Sequence, residues 1–227
     1  MGFLMTFTRK IEKEIIEIVN DCLKNKTSCY EQKTDKSIVT NIDKDISNKI
    51  KLFLSSLFSF NYICEEDIDN IDSDNYIIVD PLDGTENFIS GLPIYGFSLC
   101  HYNNGLQYSL LYFPDFNVKI SSLDNEIERQ DFNSRIVALS SYLSLEEISK
   151  LEKKEYEEYR IIGCATYNIY CVITGKFKAY VNPRINSWDI FAGIHLAMKF
   201  GKDVYINGEK YNGKYLQADK KYSIRVC

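Results

Sequence analysis

The sequence has few of the residues that build zinc sites or disulfide frameworks. It has only two histidines, and no two of its seven cysteines form a Cys-x-x-Cys pair. Because the number of cysteines is odd and neither His101 nor His195 stands at ligand spacing from them, a zinc site and a disulfide framework are both disfavoured. Scattered reduced thiols are typical of intracellular proteins, so the composition favours a cytoplasmic location.

The sequence also lacks an excess of basic residues and lacks any long apolar run. Its 27 lysines and arginines stand against 32 aspartates and glutamates, which gives a net charge of −5 and no basic stripe for a phosphate backbone. A membrane-spanning helix needs about 18 or more consecutive apolar residues, and no such run occurs. We therefore expect no nucleic-acid partner and no membrane span. With 45% apolar residues, the chain has the composition of an ordinary globular protein.

The first half of the chain, residues 1–133, is predicted to form a helix pair and a mostly antiparallel sheet. Apolar residues recur at helical spacing in the helices, and aromatic runs flanking Asn103-Asn104-Gly105 are typical of a hairpin. The predicted elements are a helix over 8–24, a helix beginning at 41–43, a buried strand over 76–79 and hairpins over 95–113 and 117–130.

The second half, residues 134–227, alternates strands with helices and predicts a smaller α/β unit. Ser144 and Glu147 form a capping box that opens one helix, and Gly175 and Gly201 stand where two others end. The predicted strands are 135–139, 159–162, 178–181 and 204–206, and the predicted helices begin at 144 or cover 166–174 and 188–200. The fold class is therefore α+β.

The stretch YIIVDPLDGTENF (76–88) places two carboxylates on a tight turn at the end of an apolar run. Asp80 ends the predicted strand, and Asp83 follows three residues later. Carboxylates are hard oxygen ligands of the kind that Mg²⁺ prefers, and a divalent cation would remove their mutual repulsion. Gly84 and Thr85 then begin a predicted helix, whose first N–H groups suit a phosphate. An Asx-type turn, in which Asp and Gly only shape the backbone, is the alternative.

Three further acidic residues follow similar patterns. Glu65 comes after an apolar stretch in CEED, Asp189 opens a predicted helix in SWDIFAG, and Asp43 stands at a helix start in IVTNID. At a helix N-terminus a carboxylate also has a purely structural role, because it balances the partial positive charge there. Both interpretations stay open for Asp43 and Asp189 on the residues alone.

Taken in order, these segments resemble the inositol monophosphatase family of metal-dependent phosphatases. DPLDGTENF (80–88) is similar to the family signature DP(I/L)DGTxNF, CEED (64–67) to (G/S/T)EES, IVTNID (38–43) to LVTxxD and SWDIFAG (187–193) to WDxAAG. GCATYNIYCVITGKFKAYV (163–181) resembles the family element GSAALDLxxVAxGxxDAY. The resemblance implies a layered αβαβα sandwich and Mg²⁺-dependent hydrolysis of a small phosphomonoester. By analogy it also implies a homodimer.

The resemblance further implies which residues hold two or three Mg²⁺ ions. Glu65, Asp80 and the Leu82 carbonyl would bind the first ion. Asp80, Asp83 and Asp189 would bind the second. A third ion would be loosely held near Glu65.

For the reaction itself, the resemblance implies that Thr85 and Asp43 position and deprotonate the attacking water. The phosphate would lie on the backbone of Gly84 and Thr85. Cys164 and Asn182 stand at positions that contribute to substrate binding in the family.

The chain departs from the family at three positions near this site. Ser47 stands where the family usually has Glu, Asn182 where inositol-specific members have Glu, and Cys164 where Ser is common. An amide can still bond a polyol, so inositol monophosphate or a similar sugar phosphate is the first substrate class we consider. A 3′(2′),5′-bisphosphate nucleotidase and a weakly active regulatory or binding member of the family are the alternatives. The segments between Glu65 and Asp80 and ahead of Arg135 are short, which predicts a more open site.

Overall fold

The part of the chain that the structure describes contains six α-helices, one short 3-10 helix (Pro114–Phe116) and fourteen strands. The structure is a computed structural model, and it describes residues 6–24, 30–32, 38–65, 67–68, 75–149, 156–213, 216–217 and 220–227. The helices are α1 (Arg9–Lys24), α2 (Asn41–Ser55), α3 (Thr85–Ile89), α4 (Leu145–Ser149), α5 (Ala165–Ile173) and α6 (Phe191–Lys199). The strands are β1 (Tyr30–Gln32), β2 (Ile38–Thr40), β3 (Asn61–Cys64), β4 (Asp67–Ile68), β5 (Asn75–Asp83), β6 (Gly96–Asn103), β7 (Leu106–Phe113), β8 (Val118–Ser121), β9 (Ile136–Leu139), β10 (Glu158–Ile161), β11 (Ala179–Asn186), β12 (Val204–Ile206), β13 (Glu209–Lys210) and β14 (Lys221–Val226).

Two six-stranded sheets organise these elements. The first has the order β4-β3-β5-β6-β7-β8 and is antiparallel except for the pair β3–β5. The second has the order β10-β9-β11-β14-β12-β13, with β9 parallel to both of its neighbours. The strands of the first sheet all precede residue 122 and those of the second all follow residue 135. The division into two domains at 133 and 134 itself stays a prediction.

The central strand β5 explains how the layers stack, because both of its faces are buried. Tyr76 and Ile78 point into one core, while Ile77 and Val79 point into the other. Helices α1 and α2 cover the second of these faces. On the first face, α5 and α6 lie between the two sheets and join residues of both in one core. A small third cluster around Val137 covers the far face of the second sheet. The layered α+β class is therefore confirmed.

Most predicted elements occur within a few residues of their expected bounds. The helix over 8–24 is α1, and α2 begins at Asn41 behind Thr40, whose side chain forms a capping box with Asp43. The hairpin over 95–113 is β6–β7, and Asn104 and Gly105 at its turn have φ of 52° and 141°. The capping box at Ser144 also forms: the Ser144 N–H donates to the Glu147 carboxylate at 2.8 Å, and the Glu147 N–H donates to the Ser144 hydroxyl at 3.2 Å.

Two predictions about strands were wrong. The hairpin expected over 117–130 stops after its first strand, β8, because Asp124 accepts the Ser121 N–H at 2.7 Å and pairs with Arg9 at 2.7 Å. These bonds end the ladder where a second strand would have begun. The buried strand expected over 76–79 continues through Asp83, so the segment that we expected to form a tight turn is part of the strand. The strand β14, which lies between β11 and β12, was not predicted at all.

No helix among the described residues is both long enough and apolar enough to cross a lipid bilayer.

A buried carboxylate fastens α1 to the first sheet. Glu12 is 2% exposed, and it pairs with Lys119 at 2.6 Å and with Arg9 at 2.9 Å. The Tyr108 hydroxyl donates to its second oxygen at 3.1 Å. Burial by itself would raise the pKa of Glu12, but the hydrogen bonds from Lys119, Ser121 and Arg9 outweigh it and lower the pKa below its ordinary value.

We predict that Glu12→Gln lowers the free energy of unfolding by about 1–3 kcal/mol near neutral pH, because a charge-assisted network is lost. A carboxylate with a lowered folded-state pKa stabilises the protein above its unfolded-state pKa, and this stabilisation disappears as the pH falls through the folded-state pKa. The difference between wild type and variant should therefore shrink between about pH 5 and about pH 3 in urea denaturation. The exposed change Glu14→Gln on the same helix is the control, and a difference that is independent of pH would contradict the assignment.

Candidate metal centre

A bulge in β5 brings Asp80 and Asp83 to the same side of the sheet. Asp80 lies opposite Ser98 and Asp83 lies opposite Gly96, so the chain advances three residues on β5 and two on β6. In a regular strand, residues three apart point to opposite faces, and one extra residue reverses that relation. Pro81 falls inside the bulge, where its missing N–H costs no ladder hydrogen bond.

Asp189 reaches these two residues from the second half of the chain. It lies in a turn between β11 and α6, in which the Phe191 N–H donates to Ser187 O at 3.0 Å. The helix begins at Phe191, so our expectation that Asp189 opens the helix was wrong by two residues. Ser98, which faces Asp80 across the ladder, donates its hydroxyl to Trp188 O at 3.2 Å. This bond holds the turn of Asp189 beside Asp80.

Three carboxylates meet at this junction. Oxygen atoms of Asp80, Asp83 and Asp189 all lie within 4.8 Å of one another. Burial raises the pKa of Asp80 well above its ordinary value, and the charges of Asp189, Asp83 and Glu65 raise it further. Burial and the charge of Asp83 raise the pKa of Asp189 in the same way. The cluster therefore carries more negative charge than its surroundings stabilise.

Glu65 stands beside this cluster rather than in it. It directly follows β3, which runs parallel to β5, and its charge raises the pKa of both Asp80 and Asp189. Its oxygens are not among those that lie within 4.8 Å of one another. The second acid of the CEED pair, Glu66, lies outside the described residues. The role of Glu65 at a first metal stays a prediction.

Asp83 is oriented by two residues that precede or open α5. The Thr166 N–H and the Thr166 hydroxyl both donate to Asp83 Oδ2 at 2.6 Å, and the Cys164 thiol donates to the same atom at 3.2 Å. Burial raises the pKa of Asp83, and these hydrogen bonds offset part of the increase. Cys164 thus contacts a candidate metal ligand. We had placed it at the substrate, and that role stays a prediction.

Thr166 is the residue that the sequence analysis missed. In the element GSAALD the family has Ala where GCATYN has Thr166, so the added hydroxyl was visible as a departure. The importance of this hydroxyl was not visible, because nothing in the sequence places α5 against Asp83.

The turn that follows Asp83 is shaped by Gly84. Its φ is 86°, and a Cβ added there would lie 3.0 Å from Ile94 O and 3.2 Å from the Cys164 Cβ. The Leu82 N–H donates to Asp80 Oδ1 at 3.0 Å, and the Thr85 hydroxyl donates to Leu82 O at 2.9 Å. α3 begins at Thr85, as predicted, with no side-chain cap on its first N–H groups. The Leu82 carbonyl and Thr85 therefore lie directly beside the cluster.

Asp43 lies on a neighbouring element. Its carboxylate accepts the Thr40 N–H at 2.9 Å and forms a further, shorter bond with the Thr40 hydroxyl. The strand β2 that ends at Thr40 packs against α3, which begins at Thr85. The structural role that we left open for Asp43 is thus present, and its role as a proton acceptor stays a prediction.

The side chains at the other two departures from the family, Asn182 and Ser47, form hydrogen bonds within the protein. Asn182 is 3% exposed, donates to the Tyr180 hydroxyl at 3.0 Å and accepts the Arg184 N–H at 3.0 Å. Ser47 lies 3.2 Å from both the Tyr62 hydroxyl and the Cys64 sulfur. Contact of Asn182 with a substrate stays a prediction.

These residues suit a hard divalent cation. The donor set consists of carboxylate oxygens, with the Leu82 carbonyl beside them, and Mg²⁺ prefers oxygen ligands. Buried carboxylates with raised pKa values are also an arrangement that a divalent cation stabilises, because it supplies the missing positive charge. The cluster therefore fits Mg²⁺ on both grounds.

The fold and this cluster together define a layered α+β protein with a candidate divalent-metal site where its two sheets meet. Residues 3–221 match the model of the inositol monophosphatase family, and the chain belongs to that family. Over 208 residues it is 31% identical to a fructose-1,6-bisphosphatase/inositol-1-monophosphatase of Thermotoga maritima, which covers 84% of this chain and 78% of that protein.

Two other similar proteins carry different names. Nus factor SuhB of Vibrio cholerae is 24% identical over 215 residues, which cover 85% of this chain and 79% of that one. A solved IMPase/NADP phosphatase complexed with Mg²⁺ and phosphate superposes with a TM-score of 0.81 at 21% identity, covering 96% of this chain and 88% of that one. At that identity the superposition shows the fold.

We predict that Mg²⁺ raises the melting temperature of the chelator-treated protein, because a cation that binds the folded state alone stabilises it. The increase should be about 5–10 °C at a Mg²⁺ concentration about 100 times the dissociation constant. Asp189→Asn should be at least as stable as wild type without metal, since one of three crowded charges is gone, and should lose the Mg²⁺ increment. Asp131→Asn, at an exposed carboxylate, should keep the increment. An equal increment in Asp189→Asn would argue against the site.

Proposed function

We propose that this protein is a Mg²⁺-dependent phosphatase that hydrolyses a small phosphomonoester, with inositol monophosphate or a similar sugar phosphate as the first substrate class. The observation that carries the proposal is the meeting of Asp80, Asp83 and Asp189 from separate halves of the chain within 4.8 Å. Membership of the inositol monophosphatase family and the name of the Thermotoga maritima relative support the reaction class.

Asp80, Asp83 and Asp189 would hold one Mg²⁺, and Glu65, Asp80 and the Leu82 carbonyl another. When bound, such ions lower the pKa of a coordinated water and stabilise the charge on the phosphoryl and leaving oxygens. The protein's contribution is to supply oxygen ligands in fixed positions. The bulge in β5 and the turn at Ser187 both serve this purpose.

Thr85 is the group that we assign to the attacking water. Its hydroxyl proton is directed at Leu82 O, so its oxygen keeps lone pairs that can accept a hydrogen bond from water. Passing a proton on to Asp43 requires the hydroxyl to rotate away from Leu82 O and towards that carboxylate. Gly84 has no side chain to obstruct the approach of a phosphate to the backbone N–H groups of Gly84 and Thr85.

There are two alternatives to this function, one with another substrate and one without catalysis as the main role. The neutral Asn182 is compatible with a nucleotide substrate such as a 3′(2′),5′-bisphosphate, and one structural relative is titled an NADP phosphatase. Relatives named Nus factor SuhB make a regulatory role the alternative from another class. Phosphate release should therefore be screened with inositol 1-phosphate, fructose 1,6-bisphosphate, adenosine 3′,5′-bisphosphate and NADP. Absence of Mg²⁺-stimulated turnover on all of them would favour the regulatory role. The homodimer and the cytoplasmic location also stay proposals.

We predict that Asp83→Asn abolishes Mg²⁺-dependent phosphate release, with a fall of at least about 100-fold, because stabilisation of charge is a large part of phosphoryl-transfer catalysis. The fold should survive, since an amide oxygen can still accept the hydrogen bonds of Thr166. Circular dichroism and the melting temperature check the fold, and Asp131→Asn is the control. Turnover at the wild-type rate in Asp83→Asn would rule out the assignment of this ligand.

From the family resemblance we also predict that lithium inhibits turnover by competing for the second metal position. Lithium is a small cation that prefers oxygen ligands but carries a single charge, so it would neutralise the carboxylates less completely than Mg²⁺. Phosphate release should fall as LiCl rises through the millimolar range, with KCl at equal ionic strength as the control. Insensitivity in that range would count against a close relationship to the inositol phosphatases.

A further inference from the structure

The Asp83 carboxylate is held from one side. Its Oδ2 accepts hydrogen bonds from the Thr166 N–H and the Thr166 hydroxyl, both at 2.6 Å, and from the Cys164 thiol at 3.2 Å. A carboxylate offers about two lone-pair sites per oxygen, so three donors fully occupy Oδ2. The Ala165 N–H bonds this carboxylate as well, so the residues around the start of α5 fix its orientation.

Of the three hydrogen bonds to Oδ2, the one from the Thr166 hydroxyl is strong and also depends on which side chain stands at this position. The backbone N–H would be present whatever residue stood at 166, and a thiol is a weak donor. Thr166 is fully buried, and a β-branched side chain has few allowed rotamers. Its hydroxyl therefore has a fixed direction.

The opposite strand leaves room for this hydroxyl. Gly96, which pairs with Asp83 across the ladder, lies so close that a Cβ there would be 3.2 Å from Thr166 Oγ1 and 2.8 Å from the ring of Phe113. The absence of a side chain at Gly96 thus allows Thr166 to approach Asp83. Three elements, β5, β6 and α5, together determine how this carboxylate is presented.

We propose that Thr166 is a positioning residue of the metal centre: its hydroxyl holds the Asp83 carboxylate in one orientation and thereby sets the affinity of the site for Mg²⁺. The inference rests on the proposed function only because it requires the metal centre. It does not depend on the identity of the substrate. Hydrogen-bond partners of metal ligands typically change metal affinity by about 10–100-fold when they are removed.

The direct test is calorimetric titration of Mg²⁺ into the chelator-treated full chain. Thr166→Val removes the hydroxyl at nearly constant shape, and it should raise the dissociation constant by about 10-fold or more. Thr166→Ser keeps a hydroxyl and should bind within about threefold of wild type. Thr174→Val is the matched control, because Thr174 is also buried and directly follows α5, but its hydroxyl donates to Tyr170 O at 2.9 Å.

A second readout separates positioning from a structural role. In Thr166→Val the Mg²⁺ concentration for half-maximal turnover should rise by the same factor as the dissociation constant, while kcat at saturating Mg²⁺ stays within about threefold. The metal-free melting temperature should stay close to that of wild type, because Asp83 keeps its bonds from the Thr166 N–H and the Cys164 thiol. A structural residue would instead lower this temperature and leave the dissociation constant unchanged.

The outcomes separate this inference from the proposed function. Equal Mg²⁺ affinity in wild type and Thr166→Val, or failure of Thr166→Ser to restore it, would overturn the inference. If the Mg²⁺ affinity depends on Thr166 as expected but the wild type hydrolyses no phosphomonoester, the inference is supported and the proposed function is overturned. Wild type that binds no Mg²⁺ would overturn both. If Thr166→Val does not fold, the pair Thr166→Ala and Thr166→Ser makes the same comparison.

Discussion

Three carboxylates within 4.8 Å of one another, two of them buried, repel each other, and the surrounding structure has to hold them together. Burial is the largest cause of the raised pKa values of Asp80, Asp83 and Asp189, and the charges of neighbouring carboxylates raise those of Asp80 and Asp189 further. A bound divalent cation makes the electrostatic energy of the cluster favourable instead of unfavourable. It turns a repulsive cluster into a set of ligands whose geometry is already arranged. The contacts of the folded chain therefore offset the free energy that it costs to bring the carboxylates together, even without a bound cation.

The contacts that hold the cluster also join the two sheets. Thr166 reaches Asp83, Trp188 accepts from Ser98, and Asn87 donates to both Ile94 O and Ile162 O at 2.8 Å. Neither half of the chain contains all three carboxylates. A cation bound here would consequently favour the packing of α5 and β11 against the first sheet. Stability and metal binding are coupled through the same few hydrogen bonds.

Sequence reasoning located most helices and strands because their apolar residues repeat at the expected spacing, as in α1 and the hairpin β6–β7. It failed where a specific contact overrides the local pattern. Asp124 stops the ladder after β8 through bonds to Ser121 and Arg9, and Arg9 is over a hundred residues away in sequence. β14 does have a period-two burial pattern, which was present in the sequence and was overlooked.

The same reasoning identified the carboxylates of the site but not how they are presented. Asp80, Asp83 and Asp189 were recognised from motifs whose order along the chain is specific, and the structure brings all three together. The bulge in β5 was not foreseen, because Pro81 has no N–H for a strand ladder and its segment was expected to form a tight turn. Thr166 was not foreseen either, since its partner, Asp83, is 83 residues away in sequence. Long-range pairing is information that periodicity and local turn chemistry do not contain.

The replacement of Glu by Asn182 has an electrostatic consequence at this centre. Asn182 donates to the hydroxyl of Tyr180, and the charges of Asp83 and Asp189 act on that same hydroxyl, so the amide lies one side chain away from the cluster. A carboxylate at this position would add a further negative charge to a group that already repels itself. The neutral amide avoids this repulsion, and its oxygen instead bonds the Arg184 N–H at the irregular part of β11. The change therefore leaves less negative charge beside the cluster, while all three carboxylates of the cluster are kept.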